Sequence, residues 1–278
     1  MDARLQRRVQ RYGWDLAATC YEALWQAQLA DAQAALLDMA ALRPGERVLD
    51  VACGTGLVTL PAARAVGASG QVLGVDIAGA MVEALRERAA AAGVPQVAAA
   101  RMDAEQLALP DGSVDVVLCA LGLMYVPDPA QALREVHRVL RPGGRAVFAV
   151  WGERARCGWA PLFGIVDAEV RSEVCPMFFG LGQRDALARL CRSTGLAVSA
   201  ERRLTATMNH DDGQQACDAA FAGGPVALAW QRFGLAARER ACARYLAAIE
   251  PWREGSAYRI PAEFVVVAAT RSAPIRSA

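Results

Sequence analysis

The sequence predicts an α/β protein: a doubly wound, mostly parallel seven-stranded sheet with helices on both faces, an N-terminal helical segment and an inserted cap. Three observations predict it. Between residues 47 and 151, short apolar runs alternate with helical stretches. The runs are apolar at successive positions, as strands of a parallel sheet covered on both faces must be. The first run ends in two glycines that open a helix, the turn from which open α/β sheets build ligand sites.

The elements follow in order. Residues 1–42 read as helix, with apolar positions at Leu16, Cys20, Leu24, Leu29, Leu36, Leu37 and Met39 and no Pro or Gly after Gly13. Pro44-Gly45 makes a turn. Strand 47–53, helix 57–66, strand 71–76, helix 80–92, a weaker strand 97–102 and a strong strand 114–121 come next. Helix 129–140, a turn at Pro142-Gly143-Gly144 and strand 145–151 complete the alternation. Right-handed crossovers then wind the sheet both ways. Residues 152–182 read as irregular, followed by helix 183–193, strand 196–207, helices 214–221 and 236–249, and strand 262–270. The expected divisions are a lid at 1–43, a core at 44–151, cap segments and closing strands at 152–270, and a frayed tail at 271–278.

Composition removes several chemistries. All 30 basic residues are arginine and there is no lysine. That excludes imine chemistry on a lysine and the lysine-dependent phosphate machines. An alanine-rich, lysine-free chain is what a GC-rich genome produces. A net charge of +1 offers no electrostatic pull toward nucleic acid or an anionic membrane. The longest apolar runs, such as 114–126, are too short to span a bilayer. Nor does the arginine-rich start lead into the apolar segment of a secretory signal. The eight cysteines form no CxxC pair, and two histidines argue against zinc. They read as reduced thiols in a cytoplasmic protein, with no metal.

The segment VLDVACGTG (48–56) is the most informative. Gly54 and Gly56 let backbone approach a ligand, and the helix that follows presents unpaired N–H groups. The third small residue of a dinucleotide fingerprint is replaced by Thr59, and Asp50 precedes the glycines. Asp76 ends the second strand, where a carboxylate accepts from two ribose hydroxyls. Asp103 follows the third strand, where it can receive an exocyclic adenine amine or cap a turn. Cys119 lies at the end of the fourth strand on the same edge.

In that order these motifs resemble the class I S-adenosylmethionine-dependent methyltransferases, near the ubiquinone/menaquinone C-methyltransferases and other small-molecule enzymes. VLDVACGTG (48–56), VLGVDIAGAMV (72–82), the segment 102–144 and AVFAVW (146–151) carry the resemblance. It covers 44–151 strongly and the carboxyl half loosely. It implies a Rossmann-like core and S-adenosylmethionine as cofactor. It further implies that Asp50, Ala52, Gly54 and Gly56 line the methionine and ribose side, and that Asp76 holds the ribose. Ile77 and Met81 would lie against the adenine, with Met102, Asp103 and Ala104 at its edge, and the Cys119 carbonyl would take the amino group. Tyr12, Trp14, Tyr21 and Trp25 stand where an N-terminal helix closes over the cofactor in such proteins, Trp25 reading rather as core packing. Of these, Tyr21 is assigned to the cofactor and Trp14 to the acceptor.

The expected reaction is in-line displacement at a sulfonium methyl, with positioning and exclusion of water as the protein's contribution. His210 is the leading candidate base, with a solvated loop as its other reading, and Tyr125 would line or orient the acceptor. The acceptor pocket is assigned to Leu121, Met124, Tyr125, Trp151, Trp159, Phe178, Phe179 and His210. This set points to a flat, apolar or aromatic small molecule. Arsenic chemistry on Cys157 and Cys175 is not required by their spacing. The rival readings are a non-catalytic cofactor-binding protein, a nicotinamide oxidoreductase and an RNA methyltransferase. The expected assembly is a monomer or homodimer, without nucleic acid or a membrane span.

Overall fold

The structure, a computed structural model, describes residues 3–170 and 178–273. The first helix, α1 (Ala3–Ala40), has 38 residues and is about 57 Å long at the usual rise. Strand β1 (Arg47–Val51) leads through the glycine loop to α2 (Thr59–Val66), then β2 (Gln71–Asp76), α3 (Gly79–Ala91) and β3 (Val97–Arg101). After β4 (Val114–Ala120) come α4 (Pro129–Val139) and β5 (Leu140–Trp151). The carboxyl half holds α5 (Pro161–Glu169), α6 (Ala186–Ser193), β6 (Leu196–His210), α7 (Gly213–Phe221), α8 (Ala227–Gln231) and α9 (Leu235–Ile249). The short β7 (Arg253–Glu254) and the long β8 (Ala257–Arg271) finish the sheet.

The strand order is β3-β2-β1-β4-β5-β8-β6, with β7 paired to β8 outside this path. Strands β1 to β5 run parallel, and β8 lies antiparallel between β5 and β6. The order reverses at β1/β4, and an open sheet has its crevice at such a reversal, outside the carboxyl ends of the strands. Adjacent residues enter opposite cores. Leu49, Val51, Val117, Phe148 and Val265 face one side, and Val48, Val116, Val147 and Val266 the other. Each such buried side chain contributes about 1.5–3 kcal/mol.

The α/β alternation holds, with differences at its margins. A two-residue β7 makes eight strands rather than seven. Residues 152–182, expected to be irregular, contain α5, whose Pro161 stands at the helix start where no N–H is needed. The turn at 142–144 interrupts β5, whose pairing jumps from Val114↔Leu140 to Val116↔Arg145. Strand β6 runs three residues past Thr207 because its pairing with β8 continues to His210↔Tyr258.

Helix α1 is held along its length. Arg145 donates to the carbonyls of Ala40 and Ala41 and pairs with both oxygens of Glu46. Gln28 exchanges two hydrogen bonds with the Asn209 backbone, at 2.5 and 2.7 Å. Leu36 and Ala40 pack in one core and Trp25, Leu29 and Ala32 in the other. These anchors carry the first half of α1 out over the carboxyl edge. No helix among the described residues is long and apolar enough to cross a membrane.

Candidate active site

A cleft of about 780 Å³, partly open to solvent, lies at the carboxyl ends of β1, β2 and β4 under the first half of α1. The floor is strained backbone. Ala52 after β1 has φ +55° and Leu121 after β4 has φ +61°, left-handed values that side chains seldom adopt and that cluster at functional sites. Gly122 lets these two loops touch, since a Cβ there would overlap the Cβ of Ala52. Gly54 has φ +53°.

Asp76 ends β2 at the cleft and is 8 % exposed. Its Oδ2 accepts from Gly54 N at 3.0 Å and its Oδ1 from Ala78 N at 2.9 Å. Burial outweighs these bonds and pushes its pKa up to about 6. Asp50 stands behind the loop instead: its Oδ2 accepts from the Thr59 hydroxyl at 2.6 Å, and burial raises it to about 7. This acid is tied to the start of α2 and does not line the cleft.

The roof is one face of α1. Arg7, Gln10, Trp14 and Tyr21, at spacings of three, four and seven, all line the cleft. The Trp14 ring meets Tyr21 at 5.7 Å and Tyr125 at 5.1 Å, both edge-on. Tyr21 lies over Gly54, and burial, reinforced by the nearby Asp76, raises its phenol above the usual value. Arg7 pairs with Asp103 at 3.0 Å and also with Glu105. Glu105 in turn accepts from Asp128 N at the start of α4. Asp15 accepts from Ala80 N, supplying a capping acceptor for α3 from another helix.

Of the residues singled out from the sequence, Trp14, Tyr21, Ala52, Gly54, Asp76, Ile77, Met81, Met102, Asp103, Ala104, Leu121 and Tyr125 lie on the cleft. Several do not. Gly56 has φ +91° and makes room for Leu85, so it serves the packing of α3. The Cys119 thiol is buried in the core, which raises its pKa to about 12. Met124 is fully buried beside it in the same core. Trp151, Trp159, Phe178 and Phe179 form a buried aromatic block, with Trp151 stacked on Phe264 at 4.4 Å. The block reaches the cleft through Tyr125, whose ring meets Phe178 at 5.2 Å. Trp25 joins the block at its Trp151 and Trp159 rings, while Tyr12 is exposed and off the cleft.

His210 is the largest correction. The extended β6 carries it into the core, 1 % exposed, with no hydrogen-bond partner on either ring nitrogen. Burial lowers its pKa to about 4, and it does not line the cleft. Cys157 is buried with its thiol near the Glu263 carbonyl, and Cys175 lies outside the described residues. The sequence reading missed Arg7, Gln10, Gly122, Val126 and Pro127. For Arg7 and Gln10 a signal existed: they share the helical face of Trp14 and Tyr21.

The comparisons agree with this geometry. Residues 49–148 match a methyltransferase domain family. A ubiquinone/menaquinone biosynthesis C-methyltransferase of Azotobacter vinelandii is 44 % identical over 110 residues, covering 39 % of this chain and 44 % of that one. Nocamycin O-methyltransferase of Saccharothrix syringae is 46 % identical over 111 residues, 40 % of this chain and 39 % of the relative. The chain spans about half or less of the length of the curated relatives it matches. Among solved structures, a putative methyltransferase from Bacillus halodurans superimposes with a TM-score of 0.63 at 19 % identity, covering 87 % of this chain and 99 % of that one. That likeness shows a shared fold, and it is residues 49–148 of this chain that match the methyltransferase domain family.

Proposed function

We propose that the protein transfers a methyl group from S-adenosylmethionine to a small, largely apolar acceptor. The observation that carries this is Asp76, a buried strand-end carboxylate held by Gly54 N and Ala78 N on the floor of a cleft roofed by aromatic rings. The residues fit the cofactor. Asp76 offers further lone pairs to ribose hydroxyls, Ile77, Met81 and Met102 offer an apolar wall to a flat base, and Gly54 admits close approach. Trp14, Tyr21 and Tyr125 present π-systems where a cation gains from ring quadrupoles. The matched relatives, named for C- and O-methyl transfer, support a small-molecule acceptor.

When bound, the cofactor supplies the electrophilic methyl and a neutral leaving group, so no protein nucleophile is needed. The chain's residues position and dehydrate. Arg7 and Asp15 tie the roof helix to the Asp103 loop and to α3, closing the cleft over what it holds. Tyr125, between Trp14 and the aromatic block, orients the acceptor, and Leu121, Gly122, Val126 and Pro127 give it an apolar berth. With His210 in the core, no histidine lines the cleft to remove a proton. The favoured acceptors therefore ionise readily themselves: phenols, quinols and enolisable carbonyl compounds.

Calorimetry with S-adenosylhomocysteine and with NAD is the first test. Binding of the former alone is expected, and binding of NAD alone overturns the reading. Transfer of a labelled methyl to phenols, quinols or 1,3-dicarbonyls is expected next. Turnover confined to charged amines or thiols would refute the acceptor class.

A further inference from the structure

Among the described residues of the roof, Gln10 holds an amide nitrogen without a hydrogen-bond partner. Gln10 is 5 % exposed, lines the cleft, and its Nε2 makes no hydrogen bond. A buried amide left unsatisfied is costly, so such a donor in a ligand cleft is available to a ligand acceptor. Its neighbours on the helix show which part of the ligand that is. Arg7, one turn before, is anchored at Asp103 and Glu105, in the loop that follows β3. Gln6 donates to the Tyr125 carbonyl. Trp14, one turn after, covers Tyr21 and Tyr125. Gln10 thus stands between the Arg7–Asp103 pair and the Trp14–Tyr125 contact.

Asp103 was the residue expected to read the base; its carboxylate can accept from the exocyclic amine through its remaining lone pairs but cannot donate to the ring nitrogen beside it. Oδ1 accepts from Glu105 N at 2.9 Å, and Oδ2 is paired with Arg7. A second reader of the base edge, one that can also donate, is therefore needed. We propose that Gln10 is that reader, its carboxamide pairing side by side with the adjacent donor and acceptor of an adenine. The chemistry is matched: a carboxamide carries one acceptor and two donors in a plane, and adenine presents an exocyclic amine beside a ring nitrogen. On the edge that carries N7, hypoxanthine presents two acceptors, the carbonyl and N7, where adenine presents a donor and an acceptor, and that breaks the match. This inference rests on the nucleoside-cofactor reading above and adds to it a residue that sets purine specificity.

The test compares S-adenosylhomocysteine with S-inosylhomocysteine by calorimetry, for the full chain and for Gln10→Ala and Gln10→Met. Met keeps the length and apolar packing of the side chain, and thermal melting reports the fold of each variant. Wild type is expected to favour the adenine compound. Both variants should lose about 10-fold for it and less than about 2-fold for the inosine compound, closing the preference. Unchanged adenine affinity, or equal losses for both ligands, overturns the assignment. So does an unchanged preference accompanied by a raised acceptor KM, which would move Gln10 to the acceptor side. If wild type binds neither ligand, the cofactor reading fails and this inference with it, an outcome distinct from any confined to the variants.

Discussion

The cleft has a floor and a roof built by different means. The floor is made by loops after β1, β2 and β4, spaced by sheet register, and works through backbone: Gly54 N and Ala78 N clamp Asp76, and Ala52 and Leu121 hold left-handed conformations. The roof is a single face of α1 and works through long side chains that bridge to the floor, Arg7 to Asp103 and Asp15 to Ala80. A floor residue is fixed by its neighbours in the chain. A roof residue is fixed by where a helix anchored at Arg145 and Asn209 happens to reach. The lesson is that cofactor affinity should depend steeply on single floor residues and more gradually on several roof residues.

Asp76→Ala should break the floor most severely. It removes the carboxylate proposed to hold the ribose and strands two backbone donors, so S-adenosylhomocysteine affinity should fall about 10- to 100-fold by calorimetry. A loss no larger than that of a roof variant would erase the contrast. Trp14→Ala removes two edge-on ring contacts from the roof, and affinity should fall about 10-fold with Tm lowered only modestly.

The pH dependence sharpens the same comparison. Asp76 is raised to about 6 in the folded state, so its ionised form, the better acceptor, predominates only above that. Affinity should climb severalfold between about pH 5 and pH 7 and then level off, and Asp76→Asn should flatten the curve. The stability of the unliganded protein should run the other way. Asp50 and Asp76 both bind protons more tightly folded than unfolded, so Tm should fall as pH rises from about 4 to about 7. The smallest effect is expected at His210. His210→Phe lies on neither floor nor roof and should leave kcat/KM within about 2-fold, while any change appears in Tm.

Much of the floor was legible because its signals are local. A strand that ends just ahead of the Gly54 loop and one that ends at Asp76 must meet at one edge once both are parallel neighbours. Asp50 shows the limit. It lies in the same motif, yet strand alternation turns it toward Thr59 rather than the cleft. The acceptor side was read poorly for a related reason. Composition shows that Trp151, Trp159, Phe178 and Phe179 are aromatic, but a ring packs equally well in a core and in a pocket. His210 was misplaced by a three-residue error in a strand end, enough to move a side chain from loop to core.

By itself, then, the sequence determined the alternating architecture, the glycine-and-aspartate edge and the exclusion of lysine chemistry, because periodicity, turn residues and absent functional groups are properties of the chain alone. Only the tertiary structure decided which aspartate faces the cleft, which aromatics are wall and which are core, and that Arg7 and Gln10 line the cleft. Those outcomes depend on pairing register and on where α1 is anchored, contacts between residues up to 181 positions apart that no local pattern encodes.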